Sequence, residues 1–274
     1  MGTIALYEHP LSPYAQKIRI LLREKNLPFE SRLPRRLGRG ADNPELAELN
    51  PRLEVPALVH EGQTIFDSTI ILEYLEETFS KLPMMPASPA ARARMRMIEE
   101  VCDTHWEAIN WGLGEIRFFR RGGDTLGPVL RQVAVEQLEH MYAWLEALLG
   151  ASEWLTGKQF GWGDLCALPF VTMSSMFGID PPAGSAVSRW LERNRLRPSV
   201  RRTVDEALAT IPAMDSIADA LAAGTFRRQF RDHRLEWMIR SGGVQVVLDG
   251  LAKNDIRFTE TAQFAERDRT AKSA

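Results

Sequence analysis

Residues 55–68 read VPALVHEGQTIFDS, a segment that combines two strand-like runs with a turn and a helix start. The first run is Val55-Pro56-Ala57-Leu58-Val59-His60 and the second is Thr64-Ile65-Phe66. Gly62 lies between them, in a short polar stretch that suits a tight turn. Asp67-Ser68 then precedes an apolar helical stripe, as helix-capping residues do. The segment predicts a β-hairpin that leads directly into a helix.

Upstream of the hairpin, strand-like and helical patterns alternate. Residues 3–7 read as a first strand, and residues 14–25 carry an apolar stripe at helical spacing. Residues 29–33 are a second strand candidate, and residues 44–48 a short helix candidate. Residues 1–80 are therefore predicted to form a domain with the order βαβαββα.

The composition changes after this domain. Residues 81–90 contain three prolines and are interpreted as a linker, because proline suits neither a helix interior nor a central strand. Residues 91–211 are helical in pattern nearly throughout, which predicts an all-α second domain. Residues 212–274 form a helical extension, which we expect to cover the helical domain rather than roof a pocket. The aromatic residues expected to make this contact are Phe226, Phe230 and Trp237.

Composition and charge exclude several classes of protein. The 274 residues are 45% hydrophobic, which excludes a disordered chain, and 34 basic against 36 acidic residues give a net charge of −2, which disfavours a nucleic-acid partner. Leu165–Ile179, the longest uncharged apolar stretch, is shorter than the roughly 20 residues that span a bilayer. Cys102 and Cys166 offer neither a disulfide framework nor metal-ligand spacing. We expect a cytoplasmic protein without a metal or a membrane span.

Three dipeptides stand out, and each has an ordinary structural explanation. Ser12-Pro13 suits a helix N-cap followed by the first helical residue. Val55-Pro56 suits an edge strand or a bend, or alternatively a cis peptide bond that exposes the Val55 backbone to a ligand. Asp67-Ser68 suits a second N-cap. None of the three indicates a function by itself.

Together and in this order, the three motifs resemble the thioredoxin-like domain of the glutathione S-transferase superfamily, in a bacterial-type form with serine at the thiol-activating position. The helical second domain fits the same family, and the resemblance spans about residues 3–210. The motifs that carry it are Ser12-Pro13-Tyr14-Ala15-Gln16-Lys17, Asn50-Pro51, Val55-Pro56-Ala57-Leu58 and Asp67-Ser68-Thr69-Ile70-Ile71. Residues 157–164 are similar to the family's helix-capping segment, with Gly161 where a serine or threonine is usual.

The resemblance implies glutathione as cosubstrate and assigns roles to five residues. Val55, presented by Pro56, would pair its backbone with the cysteinyl residue of glutathione. Asp67 and Ser68, at a helix N-terminus, would hold the γ-glutamyl end. Ser12 would be the catalytic residue, because its hydroxyl can donate to the thiolate and lower the thiol pKa by about one to two units. Tyr7 and Tyr14 are alternative hydroxyl donors.

Two positions depart from the family pattern. Leu53 replaces the usual glycine, and Glu54 replaces a cation or amide, which is the wrong charge for a ligand with two carboxylates. Arginines in the bordering loops can compensate, although a solvated basic loop is the simpler explanation. These arginines are Arg35, Arg36, Arg39 and Arg52, of which we assign Arg39 and Arg52 to glutathione binding.

The resemblance also implies a hydrophobic electrophile pocket between the domains. Its wall would contain Tyr14, Trp106, Trp111 and Phe118, although core packing explains each of these aromatics as well. The predicted function is conjugation of glutathione to a hydrophobic electrophile by a homodimer. Two alternatives stay open: a glutathione-dependent lyase, dehalogenase or ether-cleaving enzyme of aromatic degradation, and a non-catalytic binding or regulatory protein with the same fold.

Overall fold

The computed structural model describes residues 2–35, 37, 43–214, 216–225, 232–256, 258 and 260–265. Its N-terminal part is a four-stranded sheet flanked by helices. The elements are β1 (Ile4–Tyr7), α1 (Pro13–Glu24), β2 (Phe29–Arg32), α2 (Pro44–Leu49), β3 (Ala57–His60), β4 (Gln63–Phe66) and α3 (Ser68–Thr78). The strand order is β2-β1-β3-β4, with β1 parallel to β2 and antiparallel to β3, and β3 antiparallel to β4. The predicted βαβαββα order is confirmed.

The rest of the described chain is helical, as predicted. A π-helical turn, Cys102–Trp106, joins α4 directly to α5, so that the two form one continuous helical rod. The helices are α4 (Pro89–Val101), α5 (Glu107–Phe119), α6 (Gly123–Leu149), α7 (Trp162–Met176), α8 (Ala186–Arg195), α9 (Pro198–Leu208), α10 (Ile211–Met214), α11 (Ile217–Ala222), α12 (His233–Arg240) and α13 (Val244–Lys253). The helix α4 begins at Pro89, inside the segment expected to be the linker.

The helix α7 is the centre of the molecule. It contains most of the uncharged stretch Leu165–Ile179, and residues on all its faces are buried, among them Leu165, Phe170 and Val171. A helix that is apolar on every side needs neighbours on every side. The helices α1, α4, α5 and α8 pack against it, so that α7 connects the two domains through α1. None of the described helices combines the length and the apolarity that a membrane crossing requires.

The N-terminus of α7 is capped in an unusual way. Gly161 occupies the cap position and has no hydroxyl, but Oγ1 of Thr156 accepts the backbone N–H of Gly163 at 3.0 Å. The carboxylate of Asp164 accepts the backbone N–H groups of Leu155 and Gly161, at 2.8 Å and 3.1 Å. Asp164 therefore supplies its usual half of the capping box, and Thr156 provides from the preceding loop the side-chain acceptor that Gly161 lacks.

The C-terminal extension does not meet the expectation drawn from its apolar stripes. Trp237 on α12 is 66% exposed, and apolar residues of α13, including Val244 and Leu248, are exposed as well. The expectation that Trp237 covers the helical domain is therefore wrong, while Phe226 and Phe230 lie outside the described residues. The described contacts of the extension with the helical domain lie on either side of α12 and α13: α11 packs against α5, where Asp219 pairs with Arg120, and the Phe264 ring meets those of His105 and Trp144.

Candidate functional site

Ser12 lies where β1 leads into α1. It is the N-cap of α1, its Oγ accepts the backbone N–H of Ala15 at 3.4 Å, and Pro13 is the first helical residue. The structural explanation of this motif is thus confirmed. Because the cap bond uses a lone pair of Oγ, it leaves the hydroxyl hydrogen of Ser12 available for a ligand. Among the described residues no acceptor engages that hydrogen. The hydroxyl sits at the positive end of the α1 dipole, where an anion is stabilised.

Val55-Pro56 lies immediately before β3, a strand paired on both sides rather than an edge strand. The peptide bond between the two residues is cis, as the second interpretation of the motif expected. The loop before it is held by Asn50, which is 1% exposed; its Nδ2 donates to the Glu54 carbonyl at 3.0 Å and its Oδ1 accepts the Arg52 N–H at 2.9 Å. The sequence motif contained Asn50, but its role in shaping this loop was not predicted.

The backbone conformation at Leu53 explains why glycine is usual at this position. Its φ of 56° lies in the left-handed region, which glycine adopts without a steric penalty and leucine adopts only with one. The backbone of this loop therefore keeps the shape that glycine would permit. The departure from the family pattern at Leu53 therefore adds a side chain at a position where leucine is strained.

Asp67 and Ser68 mark the start of α3. Asp67 is the N-cap, and its Oδ1 accepts the backbone N–H of Thr69 at 3.0 Å. Ser68, the first helical residue, is buried. The first N–H groups of α3 have no partners within the helix, which makes this end suitable for binding a carboxylate. A second helix N-terminus is therefore present at the predicted position.

Arg52 connects the two acidic residues of this region. Its Nε lies 2.9 Å from Oε2 of Glu54, and its Nη1 lies 3.4 Å from Oδ2 of Asp67. Glu54, which has the wrong charge for an anionic ligand, is therefore paired within the protein. The Arg52 guanidinium lies beside the start of α3, and its charge is shared between these two carboxylates. Arg36 and Arg39 lie outside the described residues.

The hydroxyl of Tyr14 is not free to donate to a ligand. Its hydroxyl donates to the backbone carbonyl of Asp103 at 2.6 Å. Burial raises the pKa of Tyr14, and the nearby carboxylates of Glu107 and Asp103 raise it further, so that the phenol stays neutral. The other candidate, Tyr7 at the end of β1, accepts a hydrogen bond from Nη1 of Arg32 at 2.9 Å. Ser12 and Tyr7 both accept and so keep a hydroxyl hydrogen, and of these two Ser12 is the one at a helix N-terminus, where a thiolate is further stabilised.

The predicted aromatic wall is corrected at one position. Trp106 is 0% exposed; its Nε1 donates to Oγ of Ser174 at 2.9 Å, and its ring packs edge-on against Tyr142. A side chain so enclosed cannot contact a small molecule, so Trp106 belongs to the core. Phe118 is partly buried and its ring meets that of Phe177. Trp111, also partly buried, lies on the same helix.

A buried ionic network lies beneath Tyr14, and no sequence pattern indicated it. Lys17 is 0% exposed, and its Nζ lies 3.1 Å from the Glu99 carboxylate and 2.7 Å from that of Asp103. Glu99 also accepts hydrogen bonds from Thr69 Oγ1 at 2.8 Å and Trp162 Nε1 at 2.7 Å. The network joins α1 and α3 to α4, the π-helical turn and α7. It therefore fixes the Ser12 helix against the second domain.

The three charges of this network titrate differently. Burial by itself would lower the pKa of Lys17, but the Asp103 and Glu99 carboxylates outweigh it and raise that pKa. Burial raises the pKa of Asp103 to about 6 despite the neighbouring ammonium of Lys17. Burial also acts to raise the pKa of Glu99, but Lys17 and the hydrogen bonds of Trp162 and Thr69 hold it below its usual range.

Comparison with known proteins identifies the family. The N-terminal domain model of glutathione S-transferases matches residues 6–89, and the C-terminal domain model matches residues 89–193. The described residues contain no group of three or more His, Cys, Asp or Glu side chains able to hold a metal ion. The fold, its two helix N-termini and these matches define one class of protein: the chain belongs to the glutathione S-transferase family.

Individual relatives carry different names. Glutathione S-transferase U6 of Arabidopsis thaliana is 30% identical over 58% of this chain and 67% of its own length. FtsZ-localized protein A of Caulobacter vibrioides is 30% identical over 72% of this chain and 88% of its own length. A solved glutathione S-transferase of Methylobacterium radiotolerans, in complex with glutathione sulfonate, is 28% identical with a TM-score of 0.62, over 74% of this chain and 94% of that one. The shared fold thus accompanies more than one named role.

Proposed function

We propose that the protein binds glutathione and conjugates its thiolate to a hydrophobic electrophile, with Ser12 as the catalytic residue. The observation that carries the proposal is the difference between the two hydroxyls of α1. Ser12 Oγ accepts from the backbone and keeps its hydrogen for a ligand, whereas the hydrogen of Tyr14 is committed to Asp103. A hydroxyl stabilises a thiolate only when its hydrogen is free to donate to the sulfur.

Glutathione binding would use both helix N-termini and the strand between them. The backbone of Val55 would pair with the cysteinyl residue in the manner of an added strand. The γ-glutamyl carboxylate would accept N–H groups at the start of α3 beside Ser68, while Asp67 would accept from the α-amino group. The related protein that holds glutathione sulfonate supports glutathione as the ligand. The guanidinium of Arg52 would pair with the second carboxylate of glutathione, and we propose that Arg39 contributes to binding the same ligand.

The reaction needs the thiolate rather than the thiol. A hydrogen bond to a charged group contributes about 1.5–3 kcal/mol, which corresponds to about one to two units of thiol pKa. The sulfur then forms a bond to an electrophilic carbon, and the bonding electrons of that carbon leave with a halide, aryloxide or similar group. Conjugation, dehalogenation and ether cleavage share this step, and all are compatible with Ser12. We propose a cytoplasmic homodimer as the active form.

The test has two stages, binding and then thiol ionisation. Titration calorimetry with glutathione should show binding at millimolar concentration. The ultraviolet absorbance of the bound thiolate, followed against pH, should give a thiol pKa about one to two units higher for Ser12→Ala than for the wild type. Ser88→Ala removes an equivalent N-cap hydroxyl from α4 and is the matched control. An equal thiol pKa in Ser12→Ala and wild type would remove Ser12 from the mechanism.

A second candidate is a binding or regulatory protein without turnover. The pairing of Arg52 with Glu54 favours it, because a glutathione carboxylate must compete with an internal partner. The similarity to FtsZ-localized protein A is compatible with this role. Glu54→Gln separates the candidates: it should strengthen glutathione binding if Arg52 serves the ligand. Absence of glutathione binding in both wild type and Glu54→Gln would favour the regulatory candidate.

A further inference from the structure

A cleft of about 410 Å³ lies between α1, α7 and α9. Its volume is typical of sites for small molecules. None of the four aromatic residues predicted to form the electrophile wall lines it. Its apolar lining comes from the loop before α1, from α7 and from α9, and consists of Leu11, Met173, Met176, Val204, Ala207 and Leu208.

Two hydroxyls on α7 also line this cleft. Oγ1 of Thr172 and Oγ of Ser175 are buried, yet neither has a hydrogen-bond partner among the described residues. Ser174, between them in sequence, shows the usual alternative, since its hydroxyl donates to the carbonyl of Phe170 four residues earlier. Buried hydroxyls are nearly always hydrogen-bonded, and leaving one unbonded costs about 1–3 kcal/mol. Their position three residues apart gives them one face of α7, towards the cleft.

The charges of the lining balance. Asp180 and Arg195 contribute one charge of each sign, and both residues are exposed. Gln16 is buried, and its amide already donates to the Pro10 carbonyl at 2.9 Å. A charged ligand would therefore lose its hydration without gaining a net opposite charge. An uncharged molecule meets no such penalty.

We propose that this cleft binds a small, uncharged, mainly apolar molecule that has one oxygen able to accept hydrogen bonds from Thr172 and Ser175. The two methionines adapt the apolar wall to its shape. As a binding site the cleft stands by itself. Its assignment to the second substrate rests on the proposed function, because Leu11 in the lining directly precedes Ser12.

The ligand class is tested with two probes of the same shape, 4-phenylbutan-2-one and the anion 3-phenylpropanoate, in the absence of glutathione. In ¹³C-methyl spectra of the ten methionines, the ketone should shift the resonances of Met173 and Met176 alone. The carboxylate should bind at least tenfold more weakly. Shifts confined to other methionines, or equal affinity for the two probes, would overturn the proposal.

The role of the hydroxyls is tested with the double variant Thr172→Val/Ser175→Ala, with Ser188→Ala on α8 as the control. The double variant should bind the ketone about tenfold more weakly and melt no lower than the wild type, since it removes hydroxyls that have no protein partner. Unchanged ketone affinity would contradict the proposal, as would a lower melting temperature, which indicates a structural role. If the protein binds the ketone but not glutathione, the transferase proposal fails and the proposed ligand site in the cleft stands. If it binds glutathione but not the ketone, the cleft proposal fails and the transferase proposal stands.

Discussion

Ser12 and Tyr14 lie two residues apart at the start of α1, but their hydroxyls face different requirements. Because the Tyr14 hydroxyl donates to the Asp103 carbonyl, Tyr14→Phe should leave the thiol pKa of bound glutathione unchanged. It should lower the free energy of unfolding by about 1–2 kcal/mol, since it leaves a partly buried carbonyl without its donor. Urea unfolding and the thiolate absorbance measure the two effects. A raised thiol pKa in Tyr14→Phe would transfer the catalytic role to this residue.

Asp103 makes the stability of the protein depend on pH. Its pKa is about 6 in the folded state against an ordinary value of 3.8, so the folded protein binds more protons than the unfolded chain between these values. The contribution of Asp103 to stability should therefore fall as the pH rises from about 4 to 6, by at most about 3 kcal/mol. Asp103→Asn removes this titration.

The measurement is urea unfolding of wild type and Asp103→Asn at several values between pH 4 and pH 7. The stability of the wild type relative to the variant should decrease across pH 4 to 6 and stay constant above it. Glu99, whose pKa is lowered, acts in the opposite direction but is present in both proteins. A difference that does not change between pH 4 and pH 6 would show that Asp103 titrates in its ordinary range.

For single residues, the sequence predicted the roles of those whose hydrogen-bond partners are close in the chain. Ser12 and Asp67 were predicted as caps, and both accept hydrogen bonds within the next three residues. Lys17 was quoted in a motif but received no role, because Glu99 is 82 positions away in the chain. A lysine among apolar residues does not show which helix will supply its carboxylate. Sequence patterns of this kind cannot specify such pairs.

Among the secondary-structure elements, α7 shows how one substitution in a motif is compensated by another. An added Cβ at Gly161 would lie 2.6 Å from Cγ2 of Thr156 and 2.7 Å from the carbonyl oxygen of Met84, so Gly161→Ser should destabilise the protein. Thr156→Ala should cost about 1 kcal/mol, the usual effect of losing an N-cap acceptor. The double variant removes one clash and restores a cap hydroxyl at position 161.

The free energies of unfolding of both single variants and the double variant should therefore not add. The double variant should be more stable than the sum of the single effects predicts, by about 1 kcal/mol or more. The remaining contact with Met84 prevents full recovery. Additive effects would show that Thr156 does not act as the cap of α7.

Helical spacing explains the error at Trp106. Ile98 and Cys102 are buried four residues apart, and Trp106, four residues further on, continues the same buried face. Trp111 and Phe118 are seven residues apart and partly buried, and they share a different face of the helix. The spacing of these residues therefore separates Trp106 from the other two aromatics, although all three were predicted to form one wall.

For the whole molecule, the order of domains was predicted and the packing of the extension was not. Amphipathic stripes indicate that α12 and α13 have apolar faces, but they do not indicate what covers those faces. In the structure Trp237 and Leu248 are exposed, and Phe264 makes the described aromatic contact with the helical domain. The described part of residues 212–274 therefore adds exposed apolar surface at α12 and α13, while Ala218 is buried and Phe264 packs against the core.

Exposed apolar residues on adjacent helices support the proposed homodimer. Ile70 on α3 is 55% exposed and Met97 on α4 is 63% exposed, and an ion pair between Arg96 and Glu73 holds these two helices together. Because the ion pair brings the two helices together, we expect both exposed side chains to lie in the subunit interface. We expect light scattering to give twice the chain mass of 31.0 kDa for the wild type.

The double variant Ile70→Glu/Met97→Glu should be monomeric, because it would bury four carboxylates in a two-fold symmetric interface. Leu196 is 80% exposed and lies far from both positions in the sequence. The variant Leu196→Glu should therefore remain dimeric, and it is the matched control. A dimer that survives the double variant would place the interface elsewhere, with the exposed apolar surface of α12 and α13 as the next region to test. A monomeric wild type would contradict the dimer itself.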